Sequence, residues 1–107
     1  MSDPVRIIGI SSSPRHGNTE YLVKAALDAA CEINRHITTE FVSFANKRIE
    51  PCTDCRACVK ALQYCPKPDD WLDLVKPLIT PEPNGIIIGS PVYFFDVNSM
   101  LRAFFER

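Results

Sequence analysis

The sequence predicts an α/β fold built on a parallel sheet, and three observations carry that expectation. Residues 5–10, Val-Arg-Ile-Ile-Gly-Ile, form a short, β-branched and nearly continuous apolar run, which suits a strand covered on both faces. A polar loop follows at 11–19, and then Tyr21, Leu22, Ala25, Ala26, Ala29 and Ile33 recur at helical spacing, giving an amphipathic helix of about four turns. A second apolar run, Ile86-Ile87-Ile88, follows a turn containing Pro81, Pro83, Asn84 and Gly85 and leads into another loop. Strand, loop, helix and strand again is the order of a parallel sheet with helical crossovers.

The remaining elements fit between these. A second strand is expected at 37–44, with Thr39, Glu40, Phe41 and Val42 at its centre and a partial polar alternation that suggests a sheet edge. Cys31, among Ala29, Ala30 and Ile33, reads as a small buried hydrophobe of the first helix. Pro66, Pro68 and the pair Asp69-Asp70 mark a helix start, with an aspartate as N-cap and Trp71, Leu72, Val75 and Leu78 as the apolar stripe. Pro77 should kink or end that helix early. Ile86 to Ile88 are expected to be deeply buried, and a last helix, carrying Met100, Leu101, Phe104 and Phe105, begins near Asn98. A third strand with a neighbour on one side only leaves an apolar edge open, so further strands beyond residue 107 are expected, with cover by another chain as the alternative.

At 107 residues, with 46% hydrophobic and 23% charged residues, the chain is expected to form one globular domain over 1–107. A formal net charge of −1 makes no electrostatic case for nucleic acid or an anionic membrane. No apolar run approaches the roughly 20 residues that span a bilayer. The start, Met1-Ser2-Asp3-Pro4, has no apolar signal segment, so a reducing cytoplasm is the expected location.

The chemistry concentrates in a cysteine-rich segment at 50–68, where Cys52-x-x-Cys55-x-x-Cys58-x6-Cys65 is followed by Pro66. Two-residue steps bring thiolates onto a common centre without help from the rest of the fold, which a metal or iron-sulfur cluster requires. The first three cysteines and the closing Cys-Pro resemble the bacterial ferredoxin run, with a longer last gap that gives Cys65 slack to complete a four-thiolate shell. A [4Fe-4S] cluster is the sharpest reading. Structural zinc and redox-active thiols or disulfides remain open beside it.

Ser11-Ser12-Ser13-Pro14-Arg15-His16-Gly17-Asn18-Thr19 joins a strand end to a helix start, where backbone N–H groups and the helix dipole attract an anion. Hydroxyls add donors and Arg15 adds charge, so a phosphate suits this loop. The triphosphate pattern G-x-x-x-x-G-K-[ST] and the dinucleotide pattern G-x-G-x-x-G are both missing. A serine-rich turn capped by Asn18 or Thr19 is the plain alternative. His16 reads as a solvated loop residue and His36 as a helix-terminal cation, neither with a visible partner.

These residues carry a family resemblance. Ser12-Ser13-Pro14-Arg15-x-Gly17-Asn18-Thr19 is similar to the G-S-P-R-x-x-G-N-T loop of the NADPH-dependent FMN reductase group in the flavodoxin-like superfamily, one residue shorter and with Ser12 in place of glycine. Ser90-Pro91-Val92-Tyr93 matches that group's S-P-V-Y loop, and the cysteine run between them is similar to that of iron-sulfur flavoproteins. The resemblance implies a three-layer α/β/α fold with sheet order 2-1-3-4-5, here cut off after strand 3 and the start of the next helix. FMN would lie at the switch point between strands 1 and 3, where a ligand is expected in any open α/β sheet. It further implies that Ser11, Ser13, Arg15, Asn18 and Thr19 hold the FMN phosphate, and that Pro91, Val92, Tyr93 and Phe94 line the ribityl chain and ring. Cys52, Cys55, Cys58 and Cys65 would ligate the cluster.

The implied activity is an FMN-dependent oxidoreductase passing electrons between a [4Fe-4S] cluster and FMN, with ferredoxin or NAD(P)H as donor and a homo-oligomeric assembly. A cluster-free NAD(P)H-dependent FMN or quinone reductase is the first alternative, and a non-catalytic zinc-knuckle domain the second. Tyr93 and Phe94 as ordinary core aromatics are the plain reading of the second loop. Phe94-Phe95-Asp96 departs from the small or polar segment that many relatives carry there.

Overall fold

The computed structural model describes residues 4–62, 64–79 and 82–107. Strand β1 (Val5–Ser11), helix α1 (Asn18–Ile33) and strand β2 (Ile37–Ser43) come first, followed by the short helix α2 (Ala57–Ala61) within the cysteine segment. Helix α3 (Trp71–Ile79), strand β3 (Gly85–Gly89), the two-residue strands β4 (Val92–Tyr93) and β5 (Asp96–Val97), and helix α4 (Ser99–Glu106) complete the chain. The main sheet is parallel with order β2-β1-β3, the first three strands of the flavodoxin-like order. Of the expected turn before β3, Pro81 lies outside the described residues.

The β1 side chains alternate between two helical layers. Ile8 and Ile10 are fully or nearly fully buried and belong to a cluster with Val42, Phe44, Trp71, Leu74, Leu101 and Phe104, so α3 and α4 cover this face. Phe44 and Phe104 stack tilted at 5.1 Å, and Trp71 Nε1 donates to the Phe104 carbonyl at 3.0 Å, satisfying its only polar atom. Helix α1 covers the other face, and glycines allow it to lie close. A Cβ on Gly9 would stand 2.7 Å from both Leu27 Cδ1 and Val23 Cγ1; one on Gly89 would stand 2.5 Å from Val23 Cγ2.

That close seat corrects the expected helix stripe. Val23 and Leu27 are the buried residues of α1, whereas Tyr21 is 72% exposed, Leu22 65% and Ile33 81%. The alanines permitted more than one phase in the sequence, and the gap over Gly9 and Gly89 selects the branched pair at 23 and 27. Cys31 continues this pair by one turn but runs past the covered part of the edge strand β2. It is exposed, not core, with its sulfur 3.6 Å from Thr39 Oγ1.

Two further expectations change for related reasons. Ile86 and Ile88 are half-exposed rather than deeply buried, because β3 forms the sheet edge. In α3 the core residues are Trp71 and Leu74, with Val75 and Leu78 packed beside them and Leu72 turned outward. The expected aspartate cap is present: Asp69 Oδ1 accepts the Trp71 N–H at 3.1 Å. Pro77 lies inside α3, which ends at Ile79 within the same turn. In α4, Leu101, Ala103 and Phe104 are buried and Phe105 faces outward.

Candidate flavin and cysteine sites

The loops after β1 and β3 leave the same end of the sheet and are joined there. Ser12 N–H donates to the Gly89 carbonyl at 3.0 Å. Beneath both loops lies Asn98, only 2% exposed, whose Nδ2 donates to the Ser12 carbonyl at 2.5 Å and whose Oδ1 accepts from the Ser12 hydroxyl at 2.8 Å. Its backbone N–H donates to Ser90 Oγ at 3.1 Å. One asparagine at the start of α4 thus sets the two loops against each other across 86 residues of sequence. Sequence reasoning missed this role, since Asn98 reads there as no more than a helix start.

In the first loop, Ser11, Ser12 and Ser13 are all buried, and Arg15 and Asn18 are exposed with Thr19 between these extremes. The Ser13 hydroxyl oxygen accepts the Arg15 N–H at 3.3 Å, leaving its hydrogen free to donate. Ser11 Oγ has no hydrogen-bond partner among the described residues. Helix α1 begins at Asn18 with Gly17 as N-cap and no side-chain cap, so capping by Asn18 or Thr19 does not occur. Its first-turn N–H groups remain available to an anion.

His16 has a partner after all, which corrects the sequence reading. Its Nδ1 lies 2.5 Å from Glu20 Oε2, and Lys24 Nζ reaches Glu20 Oε1 at 3.1 Å, pairings that one helical turn permits. The hydrogen bonds from His16 and then Lys24 hold the Glu20 carboxyl below its usual range, outweighing desolvation. Glu20 therefore stays ionised, with its charge offset by Lys24, beside the helix start. His36 lies in the turn between α1 and β2, beyond the helix it was expected to end.

The second loop is a tight antiparallel hairpin, Val92 pairing with Val97 and Tyr93 with Asp96. Its two turn residues, Phe94 and Phe95, both take left-handed backbone angles, with φ of 51° and 65°. Such turns ordinarily use glycine or asparagine, and each phenylalanine there costs about 1–2 kcal/mol. Both are 94% exposed and Tyr93 is 51% exposed, so the core-aromatic reading fails. Tyr93, Phe94 and Phe95 thus present three aromatic rings to solvent.

The cysteine run has its own curl. Asp54, Arg56 and Leu62 are left-handed, and the Asp54 N–H donates to Cys52 Sγ at 3.4 Å. All five cysteines are free; Cys52, Cys55 and Cys58 are exposed and Cys65 half-buried. The four run cysteines line one cavity of about 70 Å³ together with Glu106 and Arg107 at the end of α4. Among the described residues, no three Cys, His, Asp or Glu side chains stand close enough to share one metal ion as placed. The predicted ligands therefore share a cavity without converging on a point, because the short segment carrying three of them lies outside the core.

Arg107 is the residue here that sequence patterns missed. Its side chain and that of Asp69 are fully buried and paired at 2.6 Å. Burial works against the charge on Asp69, but Arg107 and the N–H groups of Glu50 and Trp71 more than offset it and hold the carboxyl below its usual range. Only folding brings residues 69 and 107 together, so no local pattern could announce the pair.

Residues 5–107 match the model of the NADPH-dependent FMN reductase family. The chain belongs to that family. It is 44% identical over 104 residues to an iron-sulfur flavoprotein of Methanocaldococcus jannaschii, covering 96% of this chain and 51% of that protein. An iron-sulfur flavoprotein of Methanosarcina thermophila is 36% identical over 104 residues, covering 96% and 52%. One from Archaeoglobus fulgidus is 35% identical over 101 residues, covering 94% and 49%. The chain thus spans about half the length of these family relatives. No solved structure matches it, and among the described residues no helix is long and apolar enough to cross a membrane.

Proposed function

We propose that the chain is part of an FMN-dependent oxidoreductase that passes electrons between a [4Fe-4S] cluster and FMN in the cytoplasm. The observation that carries this is the pairing of an uncapped helix start with an exposed, strained aromatic hairpin, locked together by Asn98. The α1 N–H groups, Asn18, Thr19, Arg15 and the Ser13 hydroxyl would bind the FMN phosphate. Pro91, Val92, Tyr93 and Phe94 would lie along the ribityl chain and ring. When bound, FMN supplies one- or two-electron transfer, and the cluster one-electron transfer.

The donor set fits a cluster, since thiolates are its ordinary ligands and four rim one cavity. Helix α4 separates the two sites, with Asn98 before its first residue and Arg107 after its last. At 1.5 Å per residue its eight residues span about 12 Å. From the resemblance to iron-sulfur flavoproteins we further propose a homo-oligomer in which the cysteine site of one subunit approaches the flavin of another, with ferredoxin or NAD(P)H as electron donor. Anaerobic reduction assays on the natural gene product test the proposal. Cys55→Ser and Cys58→Ser should abolish electron transfer from ferredoxin and spare FMN binding.

A second reading is favoured by one observation, that the thiols do not converge as placed. In it the protein is a cluster-free NAD(P)H-dependent FMN or quinone reductase. Unchanged flavin reduction in both serine variants would establish it against the first.

A further inference from the structure

The cysteine cavity contains a polar group that nothing described so far uses. Arg107 has a fully buried side chain, yet its Nη2 has no hydrogen-bond partner among the described residues. The other nitrogens are engaged: Nη1 donates to Asp69 Oδ2 at 2.6 Å and to the Glu50 carbonyl at 3.1 Å. Nε donates to Cys65 Sγ at 3.1 Å, and the guanidinium lies 5.2 Å from the Trp71 ring centre. A buried cationic N–H without an acceptor is costly, and such groups mark a missing partner. Arg107 lines the same cavity as Cys52, Cys55, Cys58 and Cys65, which makes a group held by those thiolates the candidate acceptor.

We infer that Arg107 is a positioning and redox-tuning residue of the cysteine site, donating from Nε to the Cys65 thiolate and from Nη2 to a sulfur of the group bound there. This rests on the cluster reading above. Hydrogen bonds to sulfur and nearby positive charge both favour the more negative, reduced state and so raise the reduction potential. Reduction adds one electron, supplied in the test by dithionite, with no bond made or broken. Asp69 holds the guanidinium through a single charge-assisted hydrogen bond to Nη1, which leaves Nε and Nη2 for the sulfur side of the cavity.

The test is an EPR-monitored anaerobic redox titration of the natural gene product, with iron and acid-labile sulfide measured on every sample. Arg107→Lys keeps the charge and the pairing with Asp69 but cannot also serve both sulfur contacts. Arg107→Gln with Asp69→Asn removes both buried charges together, avoiding a stranded carboxylate. The double variant is expected to be about tenfold harder to reduce at a given potential, a downward shift of about 59 mV, with the lysine variant between it and wild type. Asp69→Asn alone removes negative charge and should leave the potential unchanged or raised, a sign that general loosening of the fold would not produce. An unchanged potential in both Arg107 variants that still hold iron and sulfide overturns the inference and leaves the cluster reading standing. Wild-type protein without iron and sulfide overturns both.

Discussion

Replacing Asn98 by alanine should loosen the loops after β1 and β3 at once, and the size of the effect follows from its bonds. The substitution removes the donor to the Ser12 carbonyl and the acceptor for the Ser12 hydroxyl, at 2.5 and 2.8 Å. The hydroxyl can turn to the Gly89 carbonyl, already 3.3 Å away, but the Ser12 carbonyl has no such substitute. One stranded buried acceptor plus one weakened bond costs about 2–3 kcal/mol. In a protein of about 150–250 residues this lowers Tm by about 5–10 °C. Asn98→Asp should be worse, since a carboxylate cannot donate and is buried. Fluorescence titration of the natural gene product should show FMN affinity about tenfold weaker in Asn98→Ala, about 1.4 kcal/mol, with the fold retained. A stability change below about 0.5 kcal/mol together with unchanged FMN affinity would refute the argument that Asn98 sets the loops.

Three other outcomes follow from the same geometry. Gly89→Ala places a methyl against the stiff Val23 and 3.1 Å from Thr19 Cγ2, so α1 must shift at its N-terminal end, where the proposed phosphate site lies. Urea unfolding should record a loss of about 1–3 kcal/mol, and FMN titration a weaker complex. Phe95→Gly relieves a left-handed residue whose ring is almost wholly in water, so thermal melts should show a gain of about 0.5–1 kcal/mol. Glu20 is held below its ordinary value of 4.5, so its contribution to stability is complete above that pH and is lost as pH falls through the lower folded value. Urea midpoints measured from about pH 6 to about pH 3 should fall less steeply in Glu20→Gln, and parallel profiles would contradict this sign.

The strands were legible because continuous apolar runs in a short chain admit few other readings. Residues 5–10 and 86–88 became β1 and β3 within a residue or two, and the polar alternation of β2 correctly marked an edge. The helix phase of α1 was not legible. Its alanines carry too little hydrophobic weight to choose a face, and the choice is made by Gly9 and Gly89 on strands that the helix meets only after folding. The same limit hid Asn98 and Arg107, whose partners at Ser12 and Asp69 lie far away in sequence. The candidate loops could be singled out because their residue types are local: hydroxyls and glycine before a helix, and thiols two residues apart. That Phe94 and Phe95 occupy a left-handed turn could not be read, since phenylalanine carries no signal for it.

On the proposal above, a flavin and an iron-sulfur cluster occupy these two sites. Anaerobic absorption and EPR spectra of the natural gene product, with iron, sulfide and flavin analysis of the same sample, test it most directly. The expected result is a brown protein containing iron and acid-labile sulfide in equal amounts, together with FMN, and an EPR signal on reduction that disappears in Cys55→Ser. A colourless, zinc-loaded protein that fails to bind added FMN would contradict it.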